Sequence, residues 1–219
     1  MARLKTAILI SGRGSNMKAL VDAAANSDYP AEIVLVASNV PGAAGLQRAA
    51  QAGIATTSID HRDFYGRASF EDALHVELTA AGVELICLAG FMRLLTAGFV
   101  QRWQNKLINI HPSLLPSFKG LQTHERALSA GVRFTGCTVH FVRPEMDAGP
   151  IIVQATVPVL ADDTADTLAA RVLNAEHRCY PHAVRLIAEG RTVTVDERVI
   201  IRQSVAAPAI TINPDDGYR

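Results

Sequence analysis

Asn109 and His111 stand two residues apart in "LINIHPSLLP" (107–116), where an apolar run stops at Pro112. Side chains two apart on a strand leave the same face, and a following proline biases His111 toward extended backbone. The amide and the imidazole should therefore project together from the C-terminal end of a strand. An amide donor can hold a developing oxyanion while an imidazole moves or donates a proton, which is equipment for attack on a carbonyl. The bland alternative is a structural histidine satisfied in the core. Asp147 in "EMDAGP" is either a turn former or a carboxylate that orients the imidazole and favours its charged form. His140, at the end of "CTVHF", reads as a packed, hydrogen-bonded histidine that can add a second polar contact.

Two further places can carry chemistry. In "SGRGSN" (11–16), directly after an apolar strand and opening a helix, two glycines allow close backbone approach, and the free N–H groups of a first helical turn suit an anion. Phosphate is the obvious guest, and the alternative is a simple glycine-rich turn. The stretch is neither a dinucleotide fingerprint nor a Walker loop. Met17 occupies the place of the third glycine, strand two ends in Ser38-Asn39 without an acidic residue, and no Gly-Lys-Ser/Thr follows. Glu176 lies on a helical stripe with Leu168, Val172 and Tyr180, a face fit for burial. An inward carboxylate needs a partner: a structural Arg or Lys, or a substrate amine or hydroxyl. There is no G-x-S-x-G elbow, no H-E-x-x-H and no His/Cys set with metal-ligand spacing, so a serine or zinc hydrolase lacks its parts and no metal is expected.

The elements that must position these residues follow a βαβα rhythm. "KTAILI" (5–10), "AEIVLVAS" (31–38) and "VELICLAG" (83–90) are continuously apolar, as in strands buried on both faces. Helical patterns fill the gaps: "NMKALVDAAANS", "AAGLQRAAQAG" ending at Gly53 as a C-cap, and "SFEDALHVELTAAG", with a short strand "ATTSI" between the last two. This is an α/β chain with an open, mostly parallel sheet and helices on both faces. After Pro112 a punctuated loop leads to a helix near "THERALSAG". Two strands, 134–142 and 151–159, and a long helix from about Thr164 to Glu189 come next, with Asp163 or Thr164 as N-cap and Pro181 as a kink. "RTVTVDERVIIRQ" reads as an antiparallel terminal hairpin, and the tail 206–219 as loose. One domain, 1–219, is expected, with a phosphate-binding half over about 1–105 and a catalytic half over about 106–205.

Composition bounds the partners. Of 219 residues, 49% are hydrophobic and 19% charged, an ordinary globular balance, and 21 Lys plus Arg offset 21 Asp plus Glu. Neither nucleic acid nor an anionic membrane is expected as a partner. Three scattered cysteines, Cys87, Cys137 and Cys179, suit reduced thiols. The N-terminal apolar run is too short for a signal peptide, and Arg93 interrupts the most apolar segment, so a cytoplasmic location is expected.

"ISGRGSN", "LAGFMRLLT", "NIHPSLLPSFKG", "GCTVHFV", "MDAGPIIVQ" and "AEHRCYP" occur in an order and spacing that closely resemble phosphoribosylglycinamide formyltransferase, over roughly Lys5 to Gly190. "NIHPSLLP" alone resembles the wider 10-formyltetrahydrofolate formyltransferase group. The resemblance implies a Rossmann-like formyltransferase fold and a step of de novo purine biosynthesis and one-carbon metabolism. In that step the formyl group of 10-formyltetrahydrofolate, the co-substrate, passes to the amine of glycinamide ribonucleotide (GAR). It makes Asn109, His111 and Asp147 the catalytic trio, Gly14, Ser15 and Asn16 the phosphate cradle, and Glu176 the ribose or glycinamide contact. It places Met92, Arg93, Leu94 and Leu95 in the pterin pocket wall with Asn109 beside the folate, and Arg67 near the folate's glutamate end. A monomer or homodimer would fit. Cys137, Ala148, Gln122 and Leu173 depart from the residues usual in the family and bear on the finer substrate contacts.

Three other readings compete. A formyltetrahydrofolate hydrolase would use a similar pocket with water as nucleophile, but it resembles this chain less, carrying an extra N-terminal regulatory domain and lacking the phosphate loop. A formyltransferase acting on aminoacyl-tRNA would carry a C-terminal basic domain, against the neutral charge seen here. A catalytically silent phosphometabolite-binding module would not need Asn109, His111 and Asp147 together.

Overall fold

The computed structural model describes residues 2–203 and residue 213. Its elements run β1 (Leu4–Ile10), α1 (Ser15–Ala24), β2 (Ala31–Ser38), α2 (Ala44–Gln51), β3 (Thr56–Ser58), α3 (Arg67–Ala80), β4 (Leu85–Leu88), α4 (Ala97–Arg102), β5 (Leu107–His111), α5 (Thr123–Ser129), β6 (Phe134–Phe141), β7 (Ile151–Pro158), α6 (Ala165–Ala188), β8 (Thr192–Val195) and β9 (Arg198–Ile201). Seven strands form one sheet in the order β3-β2-β1-β4-β5-β6-β7. The pairs from β3 to β5 are parallel, and β6 and β7 are antiparallel additions. Strands β8 and β9 pair only with each other, as the expected hairpin. Apart from Asn213, the tail expected to be loose lies outside the described residues.

The continuous apolar runs have a direct cause. In β1, Ile8 and Ile10 face a core made with Met17 and Leu20 of α1 and Leu168 and Val172 of α6, while Ala7 and Leu9 face a second core made with Phe70, Leu74 and Leu78 of α3. In β4, Leu85 and Cys87 divide from Ile86 and Leu88 in the same way. Both faces are covered, so apolar residues fill nearly every position, Thr6 of β1 and Ser38 of β2 being buried exceptions. The edge strand β7 instead alternates buried and exposed residues, because one of its faces meets water.

Order reverses between β1 and β4: the chain leaves β1 for β2 on one side and later returns as β4 on the other. Ligand crevices form at such switch points, outside the C-terminal ends of parallel strands. Tyr180 of α6 secures this region from below, its hydroxyl donating to Leu88 O (2.8 Å) and Ile108 O (3.3 Å). Thr164 is the N-cap of α6: its Oγ1 accepts from Thr167 N (3.2 Å) and its own N–H donates to Thr167 Oγ1 (2.9 Å). The helix runs on through Pro181 to Ala188, close to the expected span. Short α4 has no counterpart in the sequence reading. Thr96 caps it, accepting from Phe99 N, and buried Glu71 in turn accepts from Thr96 N at 2.7 Å.

Candidate active site

Asn109 and His111 both sit on β5, opposite His140 and Thr138 of β6. The strand ends at Pro112 because the loop 113–117 folds back under side-chain control. Thr138 Oγ1 donates to Ser113 O (2.7 Å) and accepts from Leu115 N (3.0 Å), and Ser113 Oγ donates to Ser117 O (2.6 Å). Gly136, two residues earlier on β6, lets β7 close in: a Cβ there would lie 1.8 Å from Ala155 O.

His111 is 5% exposed. Its Nε2 donates to Phe118 O (3.0 Å), and its Nδ1 lies 3.4 Å from Asp147 Oδ2. Both ring nitrogens face acceptors, a carbonyl on one side and a carboxylate on the other. Asp147 adopts a left-handed backbone (φ +50°), a turn conformation that Asp tolerates, and the same Oδ2 also accepts from Gly120 N (2.9 Å). The turn that Asp147 forms aims its carboxylate at the ring.

Asn109 Nδ2 lies 3.4 Å from His140 Nε2, and His140 Nδ1 lies 2.9 Å from Phe141 O. A carbonyl only accepts, so the His140 proton sits on Nδ1 and Nε2 is the acceptor for Asn109. Burial holds the pKa of His140 below the usual histidine value, with the Phe141 carbonyl and Asp147 opposing, and a neutral ring matches this tautomer. His140 thus fixes which way the Asn109 amide points. No other bond from that amide is present among the described residues, which leaves one amide hydrogen free to donate.

The glycine loop opens α1 as its spacing suggests. Gly14 is left-handed (φ +72°) and caps α1 without a side-chain bond, so the first-turn N–H groups are not taken up by a cap side chain. The loop packs on α2 through Gly45, whose N–H donates to Gly12 O (3.1 Å) and where a Cβ would lie 2.4 Å from Ile10. Ser15 begins α1, and Asn16 Nδ2 donates to Glu176 Oε2 (2.7 Å). The partner of Glu176 is thus an amide, not the Arg or Lys weighed from sequence. Burial raises the pKa of Glu176, with the Asn16 bond opposing. Asn16 Oδ1 is buried without a hydrogen-bond partner.

The crevice wall follows β4. Ser11 N donates to Gly90 O (3.1 Å) and Met92 N donates to Ser11 Oγ (2.8 Å), which joins the glycine loop to the segment 92–95. Met92 and Leu94 are 69% and 64% exposed, a high cost for apolar side chains left in water. Arg93 is half-buried with Nε unpaired, and Leu95 packs into the α3 core. The structure does not bring Arg67 to the trio: it begins α3, exposed and without a hydrogen bond among the described residues. Sequence reasoning gave no separate role to Ser11, which opens "SGRGSN", or to Phe118, Lys119 and Gly120, which close "NIHPSLLPSFKG". Among the described residues no group of three or more His, Cys, Asp or Glu could hold a metal ion, and no helix is long and apolar enough to cross a membrane.

The open sheet brings an amide, an imidazole and a carboxylate together beside β5, and residues 4–184 match the formyl transferase family. The chain belongs to that family. It is 53% identical over 188 residues to the trifunctional purine biosynthetic protein adenosine-3 of Gallus gallus, covering 86% of this chain and 19% of that protein. The chain therefore spans about a fifth of the length of that relative, which the 19% coverage sets. Phosphoribosylglycinamide formyltransferase of Escherichia coli is 44% identical over 184 residues, covering 84% of this chain and 87% of its own. Among solved structures, glycinamide ribonucleotide transformylase 1 from Symbiobacterium toebii superposes with a TM-score of 0.89 at 45% identity, covering 91% and 94% of the two chains. Formyltetrahydrofolate deformylase from Burkholderia mallei superposes at 0.84 with 30% identity, covering 92% of this chain and 71% of that one.

Proposed function

We propose that this chain transfers the formyl group of 10-formyltetrahydrofolate to the primary amine of GAR, giving formyl-GAR and tetrahydrofolate. The observation that carries the reading is the His111 ring held between Phe118 O and Asp147 Oδ2, beside the free amide hydrogen of Asn109. The co-substrate supplies an electrophilic formyl carbon. Asn109 donates its free amide hydrogen to the oxygen that becomes anionic when the amine attacks that carbon, and the charged His111 ring beside it, held by Phe118 O and Asp147, stabilises that charge through space. Asp147 holds the imidazole in its charged orientation. The nitrogen–carbon bond to the folate then breaks, the amine loses a proton, and the departing folate nitrogen gains one, with His111 as the group in reach for this traffic.

The residues present fit the ligands. Exposed Met92 and Leu94 offer apolar contact for a flat heterocycle, and Arg93, with its Nε unpaired, offers a cation to a carboxylate. The uncapped first turn of α1 suits the phosphate of the ribonucleotide, and Glu176 can accept from a ribose hydroxyl or the glycinamide amine. Arg67 would reach the folate's glutamate only at the rim of the crevice.

The test is to incubate the chain with 10-formyltetrahydrofolate, with and without GAR, and to follow deformylated folate. Release that depends on GAR supports the transferase. Release without GAR selects the hydrolase, and no release in either case leaves a binding module.

A further inference from the structure

The four-residue loop 118–121 divides its backbone groups among three side chains. Phe118 O accepts from His111 Nε2 (3.0 Å), and Gly120 N donates to Asp147 Oδ2 (2.9 Å). The two carbonyls between and after them, Lys119 O and Leu121 O, both accept from Arg126 Nη1. The same guanidinium lies over the Phe118 ring, 5.6 Å from its centroid. Arg126 stands one turn into α5, where its N–H donates to Gln122 O (3.1 Å), and a helical side chain leans back over the turn before it.

The loop does not hold this shape for free. Phe118 (φ +52°) and Gln122 (φ +54°) both adopt the left-handed region, which is unfavourable for a residue with a Cβ. Something must offset that, and a guanidinium whose Nη1 bonds two carbonyls while its plane lies over an aromatic ring is suited to it.

We propose that Arg126 is a positioning residue: by clamping the loop 118–121 it holds Phe118 O and Gly120 N where His111 and Asp147 need them. This rests on the reading of His111 and Asp147 as the reacting pair. Arg126 itself is exposed and touches neither of them, so its contribution goes to orientation more than to global stability.

The test uses Arg126→Met, which keeps length and loses the donors, and Arg126→Lys, which restores one cation. Two readouts are taken: amide hydrogen exchange at Gly120, and steady-state formyl transfer. In Arg126→Met the Gly120 amide is expected to exchange about 10-fold faster, since its bond to Asp147 loosens. The kcat is expected to fall by about 10-fold with the KM for GAR unchanged, and Arg126→Lys is expected to recover part of both effects. Unchanged Gly120 exchange overturns the clamp, whatever kcat does. Faster exchange with unchanged kcat, or a rise in the KM for GAR alone, overturns its role in positioning. If the wild-type chain shows no GAR-dependent transfer, the proposed function falls, and Gly120 exchange still decides the clamp.

Discussion

Asp147 Oδ2 is shared by His111 Nδ1 at 3.4 Å and Gly120 N at 2.9 Å, so one carboxylate oxygen ties the imidazole to the loop whose Phe118 carbonyl holds the ring's other nitrogen. Asp147→Asn puts a possible donor where only an acceptor serves both neighbours, and it removes the negative charge beside the ring. Turnover is expected to drop roughly 100-fold or more, the range of a general acid–base contribution, with the KM for GAR little changed. Steady-state kinetics against both substrates check this. A variant as fast as wild type would show that the aspartate does not act through the ring.

Asn109→Ala removes the free amide hydrogen and should lower kcat by roughly 100-fold, the usual loss for an oxyanion donor. His140 directs that amide, so His140→Ala should move kcat the same way by a smaller factor, and the double variant should be far from additive. Single and double variants measured together give the coupling. Independent effects would separate His140 from Asn109.

Asn16→Ala removes the donor to Glu176 and one polar group beside the anion-binding turn. The expected outcome is a higher KM for GAR, with binding of the folate, measured by isothermal titration, preserved. Equal weakening of both ligands would assign the glycine loop a purely structural role.

Glu176→Gln tests the buried carboxylate through stability. Burial raises its pKa in the folded chain, so the folded state keeps the proton to higher pH than the unfolded state does. The stabilising contribution is therefore complete below the ordinary glutamate value of about 4.3 and is lost as pH rises through the raised folded value. Glutamine can still accept from Asn16 and carries no charge, so the urea midpoint of the variant should gain on wild type as pH climbs from the ordinary glutamate range toward neutrality. A difference that stays constant with pH would mean the carboxylate is not paying to ionise in the fold.

By itself the sequence determined the strands, the helices other than short α4, and the residue types of the site. Apolar runs of strand length can be buried only on two faces, which identifies β1, β2 and β4, and the glycines of "SGRGSN" permit a left-handed N-cap that most residues resist. The period of two placed Asn109 and His111 together without knowledge of any partner. The tertiary structure alone decided what those groups touch. Whether Asn109 meets His140 depends on the register of β5 against β6, and whether Glu176 meets Asn16 depends on α6 crossing α1, 160 residues away in the chain. The contacts of His111 depend on the loops 118–121 and 143–150 arriving from opposite sides. Hydrogen bonds over such separations leave no local pattern, because what they require is a position in space, which packing of the whole sheet supplies.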